Sequence, residues 1–479
     1  MTKTVLIIGA GLTGLYVGWH LCKQGFNVTL LERQNFVGGL ATSLEYNGYI
    51  IDIGPHYISL PRSSEVTKDI ENLIGSENLI EIPNIHKAFK SYFDGKLLNS
   101  DPTLNDVIFN SSLNNFIHGV SDFIFSKIKN KFSTKKPKTA KEYLILNFGS
   151  FSYEKWFKPY YQKIFLDKEP PLDLVKKRFP PPTFKQVSFS FLKKTKKKTP
   201  SKNFDSQKSS ENFDCYYRYG MISLINELEN QIKNFGGKII LGAEVTSILH
   251  GDQKKVVYEK DRKENELLPD SLIYATPLLI TVKWFTEILE KNQLKVSSPE
   301  AFNSIMTFLF IDKPKVYNGW VISVFDKNVI FARISQQNFL SDSIVPKGKT
   351  LLNIEIKLSE FNPFWKLDES SIFERIKHDL EIAGILKNEK IDGYKIIKFK
   401  NLYPTPNSGS KNNTEDIFKL INTFKNEYVI DAQSDSGELV STEIERGNHR
   451  NKRRSGGVYS TLSASRTLIQ KFIKENEQI

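Results

Sequence analysis

The chain has 479 residues, of which 39% are hydrophobic and 25% are charged, and its formal net charge is +13. This length allows two domains with sizeable cores, and no apolar run approaches the roughly 20 residues that span a bilayer. The two cysteines, Cys22 and Cys215, exclude a disulfide framework. Because the N-terminus enters a predicted strand at once, it leaves no room for a signal peptide, and we expect a cytoplasmic protein.

The N-terminal segment predicts the opening of a Rossmann-type fold. Its elements in chain order are a buried strand over residues 4–8, glycines in the pattern G-x-G-x-x-G, a helix over 12–24 that ends at Gly25, and a strand over 27–31 followed by Glu32. The first glycine of such a pattern permits a tight turn, the second lets the backbone approach a pyrophosphate, and the third allows close packing of helix and strand.

These elements together predict a dinucleotide site. The helix N-terminus supplies unpaired N–H groups for the phosphates. Glu32 follows the glycine pattern at the distance along the chain at which a carboxylate can accept hydrogen bonds from a ribose hydroxyl. The alternative, a glycine-rich turn in some other α/β domain, does not account for the complete set. The cofactor-binding residues predicted from this segment are Gly9, Gly11, Leu12, Thr13, Gly14 and Glu32.

The next segment indicates which dinucleotide is bound. Arg33 precedes a Gly38-Gly39-Leu40 turn, and the sequence D-x-G-x-H then runs from Asp52 to His56. In this order the segments resemble the FAD-binding N-terminus of a flavoprotein superfamily that includes amine oxidases, protoporphyrinogen oxidases, phytoene desaturases and UDP-galactopyranose mutases. Paired glycines let backbone amides touch a cofactor. The resemblance implies FAD and adds as contacts Arg33, Gly38, Gly39, Leu40, Gly54 and His56.

The middle of the chain indicates a return to the cofactor domain. An amphipathic helix over 222–234, a glycine pair and a strand over 238–241 lead into Val245. The superfamily shows the same order, so the resemblance implies that the backbone of Val245 contacts the adenine; the alternative is a plain strand residue. A strand from Ser271 returns to the sheet before the crossover at Pro277.

The other central segments predict a substrate domain. Residues 104–131 have helical periodicity, and the prolines at 180–182 with the lysine-rich stretch up to Ser210 indicate a loop. Strands are predicted over 306–311, 320–325 and 351–356, and a helix over 370–383. The block from Phe148 to Tyr160 resembles the protoporphyrinogen-oxidase-like and mutase-like members.

The resemblance therefore implies an α/β fold with a discontinuous, Rossmann-type FAD-binding domain that is glutathione-reductase-like. This domain comprises residues 1–85, 213–285 and 421–479. Residues 86–212 and 286–420 form an inserted α+β substrate domain, whose sheet is expected to face the flavin.

The C-terminal segment departs from the family pattern. Family members have a strand that ends in Gly-Asp, whereas here the strand over 428–430 runs on to Asp431 and Asp435, either of which could stand in. A helix over 459–473 follows, and its N-terminus would stabilise a reduced flavin. The resemblance adds Gly457 and Val458 to the contacts. Arg453 or Arg454 adds charge there or belongs to a basic surface loop.

His56 is the candidate catalytic residue. In this superfamily the flavin carries the chemistry, and the protein supplies orientation and electrostatics. An imidazole, with an ordinary pKa of about 6.5, could exchange protons with reduced flavin or with substrate. The alternative is a packed or backbone-bonded histidine. The seven histidines show no metal-ligand spacing, so we predict no metal site.

Two function classes remain open. The first is an FAD-dependent oxidoreductase that removes hydride from a C–H or C–N bond. The second is a non-redox flavoenzyme resembling UDP-galactopyranose mutase, which would need arginines for a nucleotide diphosphate. Few arginines lie in the substrate segments, with Arg333 and Arg375 the main ones after residue 300, so we favour the redox class. A third hypothesis is that the chain binds a flavin but has lost its catalytic activity.

The positive charge sits largely in local runs at 135–138, 193–198 and 450–454. These runs predict solvated loops, or else a patch for anionic lipid or an anionic substrate. No nucleic-acid recognition module accompanies them. We expect a small-molecule substrate, and the basic, aromatic-rich stretch over 109–132 allows a peripheral membrane contact. The sequence leaves the oligomeric state open.

Overall fold

The computed structural model describes residues 3–54, 56–98, 113–131, 136–166, 169–180, 212–251, 253–294, 301–404, 420–421, 423–430 and 458–476. The chain divides into two compact units. The first unit comprises Met1–Pro83, Ser210–Ser298 and Gly409–Ile479, and the second comprises Asn84–Ser209 and Pro299–Ser408. None of the helices in the described segments is long and apolar enough to cross a membrane.

The strands of the described residues are β1 Thr4–Ile8, β2 Asn27–Glu32, β3 Ser43–Tyr46, β4 Tyr49–Asp52, β5 Ile58–Pro61, β6 Leu79–Glu81, β7 Phe89–Phe93, β8 Lys96–Leu98, β9 Asn212–Tyr217, β10 Lys238–Leu241, β11 Glu244–Leu249, β12 Lys255–Lys260, β13 Lys263–Leu267, β14 Ser271–Tyr274, β15 Ala301–Ile311, β16 Val321–Val324, β17 Arg333–Gln336, β18 Thr350–Leu358, β19 Ile391–Pro404 and β20 Glu427–Val429.

The longer helices are α1 Leu12–Lys23, α2 Glu65–Ile74, α3 Leu113–Lys131, α4 Ala140–Phe148, α5 Lys158–Phe165, α6 Leu172–Arg178, α7 Ile222–Asn234, α8 Thr286–Lys291, α9 Glu369–Ile382 and α10 Val458–Asn476.

The first unit is built on a parallel sheet with the strand order β10-β2-β1-β14-β20. Both faces of this sheet are covered, which explains why β1 is a continuous apolar run rather than an alternating one. Val5 and Ile7 pack into a core that includes residues of α1, α7 and α10. Leu6 and Ile8 point to the opposite face, into a core shared with β12. The antiparallel sheet β11-β12-β13 is a separate sheet of the same unit.

The second unit is built on a seven-stranded, mainly antiparallel sheet with the order β19-β15-β18-β17-β16-β7-β8. Helix α9 packs on one face through Ile372, Ile376 and Leu380. A second cluster of aromatic side chains gathers residues of α4 and α5 with Phe325. Helix α5 also contacts β18.

The predicted fold class, a Rossmann-type domain combined with a mixed α and β domain, is confirmed. The predicted helix over 104–131 corresponds to α3, which begins at Leu113; residues 99–112 lie outside the described segments. Most of the predicted loop over 180–210 lies outside them as well. The fourteen-residue strand β19 was not predicted. Its residues after Ile391 alternate poorly between polar and apolar types, so the period-two signal is weak.

Three helices of the first unit meet at one carboxylate. Oδ2 of Asp69 on α2 accepts hydrogen bonds from the Tyr16 hydroxyl on α1 and from the Arg466 guanidinium on α10. Nε2 of His20 lies 3.1 Å from the same oxygen. Burial raises the pKa of Asp69, but the bonds from His20 and Tyr16 outweigh it, so the pKa is lowered overall. This cluster fixes the C-terminal helix against the first two helices.

We expect Asp69→Asn to lower the free energy of unfolding by about 2 kcal/mol at neutral pH, because the guanidinium loses its anionic partner. A carboxylate with a lowered pKa stabilises the fold above its unfolded-state pKa, about 3.9, and this contribution disappears as the pH falls through the lowered value. The difference between wild type and variant should therefore shrink in acid. Urea unfolding at several pH values measures it, with Asp261→Asn, in the exposed β12–β13 turn, as the control. A difference that does not change with pH would contradict this account.

Candidate functional site

The three glycines of the turn between β1 and α1 have different roles. The Gly9 N–H donates to Leu31 O at 2.8 Å, and the Gly9 φ of +102° favours glycine. A Cβ on Gly14 would lie 1.9 Å from Gly9 O, so only glycine fits there. A Cβ on Gly11 would meet nothing within 4 Å. The fold therefore requires Gly14, whereas the open side of Gly11 leaves room for a ligand.

The same turn ends at the N-terminus of α1. Gly11 is the N-cap, and no side chain of the described residues caps it. The first intrahelical bond runs from Leu15 N–H to Gly11 O at 3.0 Å, so the N–H groups of Leu12, Thr13 and Gly14 precede it. The first turn contains no acidic residue, so the positive end of the helix dipole is not neutralised there. A phosphate is the ligand that such an end favours.

Glu32 is fixed at the end of β2, beside this turn. Its Oε2 accepts from Ala10 N–H and its Oε1 from Gln34 N–H, both at 2.9 Å. Its backbone O accepts from Ala243 N–H, also at 2.9 Å. The following residue, Arg33, is exposed. The carboxylate is thus held in place by backbone donors and stays half-buried.

The paired glycines also reach the glycine-rich turn. Gly38 N–H donates to Ala10 O at 2.8 Å, and Gly38 forms a parallel bridge with Gly11. Gly38 and Gly39 have φ values of +95° and +58°, which a side chain would strain. Leu40 is 41% exposed. The structure therefore brings together the two glycine segments that the sequence predicted as cofactor contacts.

Asp52, the first residue of D-x-G-x-H, joins distant parts of the first unit. Its Oδ1 accepts from the Ser43 hydroxyl at 2.6 Å and from Met221 N–H at 3.2 Å, and its Oδ2 accepts from the Tyr216 hydroxyl at 2.5 Å. Burial raises the pKa of Asp52, and the nearby His56 and these bonds offset part of the rise. No sequence motif pointed to Tyr216, because this residue lies in another chain segment.

His56 lies close to the backbone of its own turn. Its Nε2 is 2.8 Å from Ile53 O, and because a carbonyl oxygen only accepts, Nε2 carries the proton in this bond. Gly54 has a φ of +101°, and a Cβ on it would lie 3.6 Å from His56 Nε2. The side chain is half-buried. The geometry contains a backbone-bonded histidine, and its catalytic role stays a prediction.

Val245 lies on β11, in the separate antiparallel sheet of the first unit. Its backbone O accepts from Trp284 Nε1 at 3.3 Å. Two residues earlier, Ala243 N–H donates to Glu32 O, so this segment reaches the Glu32 end of β2. The predicted contact between the Val245 backbone and an adenine stays a prediction.

Only part of the predicted C-terminal site belongs to the described residues. Val458 begins α10 and is buried. The remaining C-terminal candidates lie outside the described residues; they are Asp431, Asp435, Arg453, Arg454 and Gly457.

The sheet of the second unit has two unlike faces, a feature that sequence reasoning missed. One face is aliphatic and packs on α9, as Leu352, Ile354 and Ile356 of β18 do. The alternate residues Asn353 and Glu355 point to the other face and are only 2% exposed each. Buried polar side chains are costly unless they are paired, so this face requires an explanation.

Neighbouring strands extend this polar face. Arg333 of β17 lies opposite Glu355, and the two side chains form an ion pair. Ser335 lies opposite Asn353. Within the described segments, neither the Ser335 Oγ nor the Asn353 Oδ1 has a hydrogen-bond partner, although both are buried. Burial lowers the pKa of Lys357, the next residue of β18 on this face. Unsatisfied buried polar atoms beside charges are typical of a binding face.

The chemistry available elsewhere in the described residues is limited. No group of three His, Cys, Asp or Glu side chains among them could hold a metal ion. Both cysteines are buried. Burial raises the pKa of Cys22 to about 11 and that of Cys215 further above its ordinary value, so neither thiol ionises readily.

Comparison with known proteins agrees with this geometry. Residues 7–72 match the NAD(P)-binding Rossmann-like domain family. The crystal structure of a reduced UDP-galactopyranose mutase superposes with a TM-score of 0.71 at 16% identity and 89% coverage of each chain. The putative protoporphyrinogen oxidase from Exiguobacterium sp. 255-15 superposes with a TM-score of 0.66 at 15% identity, covering 99% of this chain and 100% of that one. The chain has the fold of these two solved structures.

A sequence relative over part of the chain is the 4,4'-diapophytoene desaturase (4,4'-diaponeurosporene-forming) of Staphylococcus aureus (strain MRSA252). It is 35% identical over 92 residues, which are 19% of this chain and 18% of the desaturase. The match thus spans less than one fifth of that relative's length.

The two glycines of the turn provide a matched pair of substitutions. We expect Gly14→Ala to destabilise the first unit by about 1–3 kcal/mol, because its Cβ would collide with Gly9 O. Gly11→Ala should leave the melting temperature unchanged, since its backbone is extended and its Cβ meets open space. It should nevertheless weaken dinucleotide binding by roughly tenfold or more, because the methyl group occupies the approach to the helix N-terminus. Thermal unfolding and cofactor titration measure the two effects. Equal affinity for the dinucleotide in Gly11→Ala would contradict the assignment of the site.

Proposed function

We propose that the first unit binds FAD and that the protein is an FAD-dependent oxidoreductase that removes hydride from a small organic molecule. The open side of Gly11 at the N-terminus of α1, beside the fixed carboxylate of Glu32, supports this proposal most strongly. The turn and the helix end suit a pyrophosphate, and Glu32 suits a ribose. The match of residues 7–72 to the NAD(P)-binding Rossmann-like family supports a dinucleotide at the same place.

Bound FAD would supply the acceptor for hydride. The residues of this chain bind and orient it: the N–H groups of α1 neutralise phosphate charge, and the Gly38–Leu40 turn brings backbone amides close. We propose that the imidazole of His56 accepts a proton from the substrate. Its Nε2 proton is committed to Ile53 O, which leaves Nδ1 as the atom that would accept a proton from substrate.

We propose that the polar face of the second unit contacts the substrate. The Arg333–Glu355 pair, Lys357 and the unsatisfied atoms of Ser335 and Asn353 would all be costly against a purely hydrocarbon surface. A substrate with hydrogen-bonding groups would satisfy the buried atoms of Ser335 and Asn353. The domains predicted from the sequence have the same roles: one binds the cofactor, as we propose for the first unit, and the other binds the substrate, as we propose for the second.

The redox class is favoured over the nucleotide-sugar alternative. A diphosphate needs arginines that are ready to bind it. Arg333 pairs with Glu355, and the Arg375 Nε donates to Asp379 Oδ1 at 2.9 Å. Both guanidinium groups therefore already have carboxylate partners. A cytoplasmic location remains a prediction from the sequence.

The visible absorption spectrum of the purified protein tests the proposal first. We expect a flavin spectrum that bleaches on anaerobic reduction with dithionite and returns in air, and that is weaker in Gly11→Ala. Rapid return in air would direct substrate screening to amines and porphyrinogens, because oxygen then serves as acceptor. Slow return would direct it to other electron acceptors and to UDP-sugars. Absence of flavin after incubation of the folded protein with FAD would contradict the proposal.

Ser335→Ala separates function from stability on the polar face. Removing a buried hydroxyl that lacks a partner should leave the free energy of unfolding unchanged or raise it by about 1 kcal/mol. With a substrate found by the screen, KM should rise roughly fivefold because a substrate hydrogen bond is lost. Ser271→Ala is the matched control, since its buried Oγ also lacks a partner among the described residues but belongs to β14. An unchanged KM in Ser335→Ala would remove Ser335 from the proposed substrate face.

A further inference from the structure

A histidine and a glutamate are paired in the interior of the first unit. His250 follows the last residue of β11, and Glu427 is the first residue of β20. Nδ1 of His250 lies 2.9 Å from Glu427 Oε2, and the two side chains are 7% and 0% exposed. The imidazole also stacks on the buried Phe285 ring, with the ring centroids 4.1 Å apart. A charge in such apolar surroundings is costly unless a partner neutralises it.

The second ring nitrogen of His250 faces an acceptor as well. Nε2 lies 3.0 Å from the backbone O of Trp284, which can only accept, so Nε2 carries a proton. A neutral imidazole has one N–H, and its Nδ1 would then direct a lone pair at the Glu427 carboxylate. A proton between Nδ1 and Oε2 removes this repulsion. Because imidazole is a stronger base than a carboxylate, the proton belongs to the ring, and the pair is an imidazolium beside a carboxylate.

The other groups around Glu427 do not neutralise it. The Tyr274 hydroxyl on β14 donates to the same Oε2 at 2.8 Å. Burial, followed by the nearby carboxylate, raises the pKa of Tyr274, so this hydroxyl keeps its proton. Among the described residues, Oε1 of Glu427 has no hydrogen-bond partner. Neutralisation of the carboxylate therefore depends on His250.

The charged side chains of the neighbouring segments are directed elsewhere. The Lys254 ammonium donates to Gly251 O at 3.1 Å. The charged side chains of residues 282–291 are exposed, and so is Lys425. Phe424, which also contacts the imidazole, is aromatic and cannot carry a charge.

The pair joins the edge strand of the parallel sheet to the rest of the first unit. β20 is that edge strand, and it pairs with β14 over only three residues. Glu427 binds Tyr274 on β14 and also His250, which follows β11 of the separate antiparallel sheet. Because so short a strand has few ladder hydrogen bonds of its own, we expect its position to depend strongly on this side-chain contact.

We propose that the folded protein holds a buried proton between His250 and Glu427, and that this proton makes the attachment of β20 sensitive to pH. An unfolded histidine loses its proton around pH 6.5, where an unfolded glutamate is already ionised. Above that pH, folding therefore takes up one proton, and the stability falls as the pH rises. The contribution of the pair is complete between about pH 5 and 6.5 and is lost progressively in alkali. It is independent of the proposed cofactor and reaction.

Hydrogen exchange of the full chain from pH 7 to pH 8.5 tests the proposal. The readout is the protection of the Ile430 N–H, which donates to Tyr274 O at 3.0 Å, corrected for the intrinsic exchange rate. Relative to Glu427→Gln, the protection in the wild type should fall by about tenfold per pH unit, because opening releases one more proton. The amide of Glu427→Gln can donate to Nδ1 of a neutral imidazole, so the variant needs no buried charge.

Glu266→Gln is the matched control. It also removes a carboxylate of the first unit, but this carboxylate is exposed and pairs with Lys255. Its protection should change with pH as that of the wild type does. A ratio of wild-type protection to Glu427→Gln protection that is constant from pH 7 to pH 8.5 would overturn the proposal.

A second measurement needs no variant and so does not depend on the folding of Glu427→Gln. In nitrogen-15 NMR spectra of histidine-labelled wild-type protein at pH 8.5, His250 should carry protons on both ring nitrogens. Its signals can be assigned through the contact of the ring with Phe285. A proton on Nε2 alone at this pH would contradict the imidazolium and, with it, the proposal.

Discussion

The close approach of α1 to the end of β1 is the constraint on which the first unit depends. Because a Cβ on Gly14 would lie 1.9 Å from Gly9 O, the helix begins directly against the strand. Its N-terminal N–H groups therefore lie at the carboxyl edge of the parallel sheet. Glu32 ends the neighbouring strand at that edge, and the Gly38 turn reaches it through Ala10. Ligands of open α/β sheets bind at this edge, so one steric relation assembles the whole candidate dinucleotide site.

The two units use their sheets in different ways, and the difference follows from what each face contacts. The central strand β1 of the first unit is apolar on both faces, and the candidate cofactor groups lie at the strand ends, where backbone groups are available. The antiparallel sheet of the second unit is aliphatic only on the α9 side, while the opposite face buries Glu355, Asn353 and Ser335. A polar face of this kind weakens the hydrophobic contribution to stability. Proteins keep such destabilising polar groups mainly where a bound ligand forms hydrogen bonds with them. For this reason we place the substrate against this face.

Local order explains how much could be predicted from the sequence. Strands β1 and β2, helix α1 and the two glycine turns follow one another within the first 40 residues, so propensity and spacing suffice to predict them. The partners of Asp52 could not be predicted, because Tyr216 lies 164 residues away and its pairing depends on the folded chain. The polar face lies between these extremes. The sequence shows the period-two alternation of the polar residues Asn353, Glu355 and Lys357. It does not show that their strand, β18, pairs with β17.

The net charge of +13 is best understood by asking which cations are already paired within the fold. Arg333, Arg375 and Arg466 each form an ion pair with a carboxylate, so these pairs add nothing to the excess. Other cations of the described residues, such as Lys136 and Lys138, are exposed. Lysines that serve solubility alone gain nothing by clustering, because neighbouring like charges repel. Lys136 and Lys138, two exposed lysines that are close in the sequence, therefore repel each other in the free protein, a cost that an anionic ligand would remove.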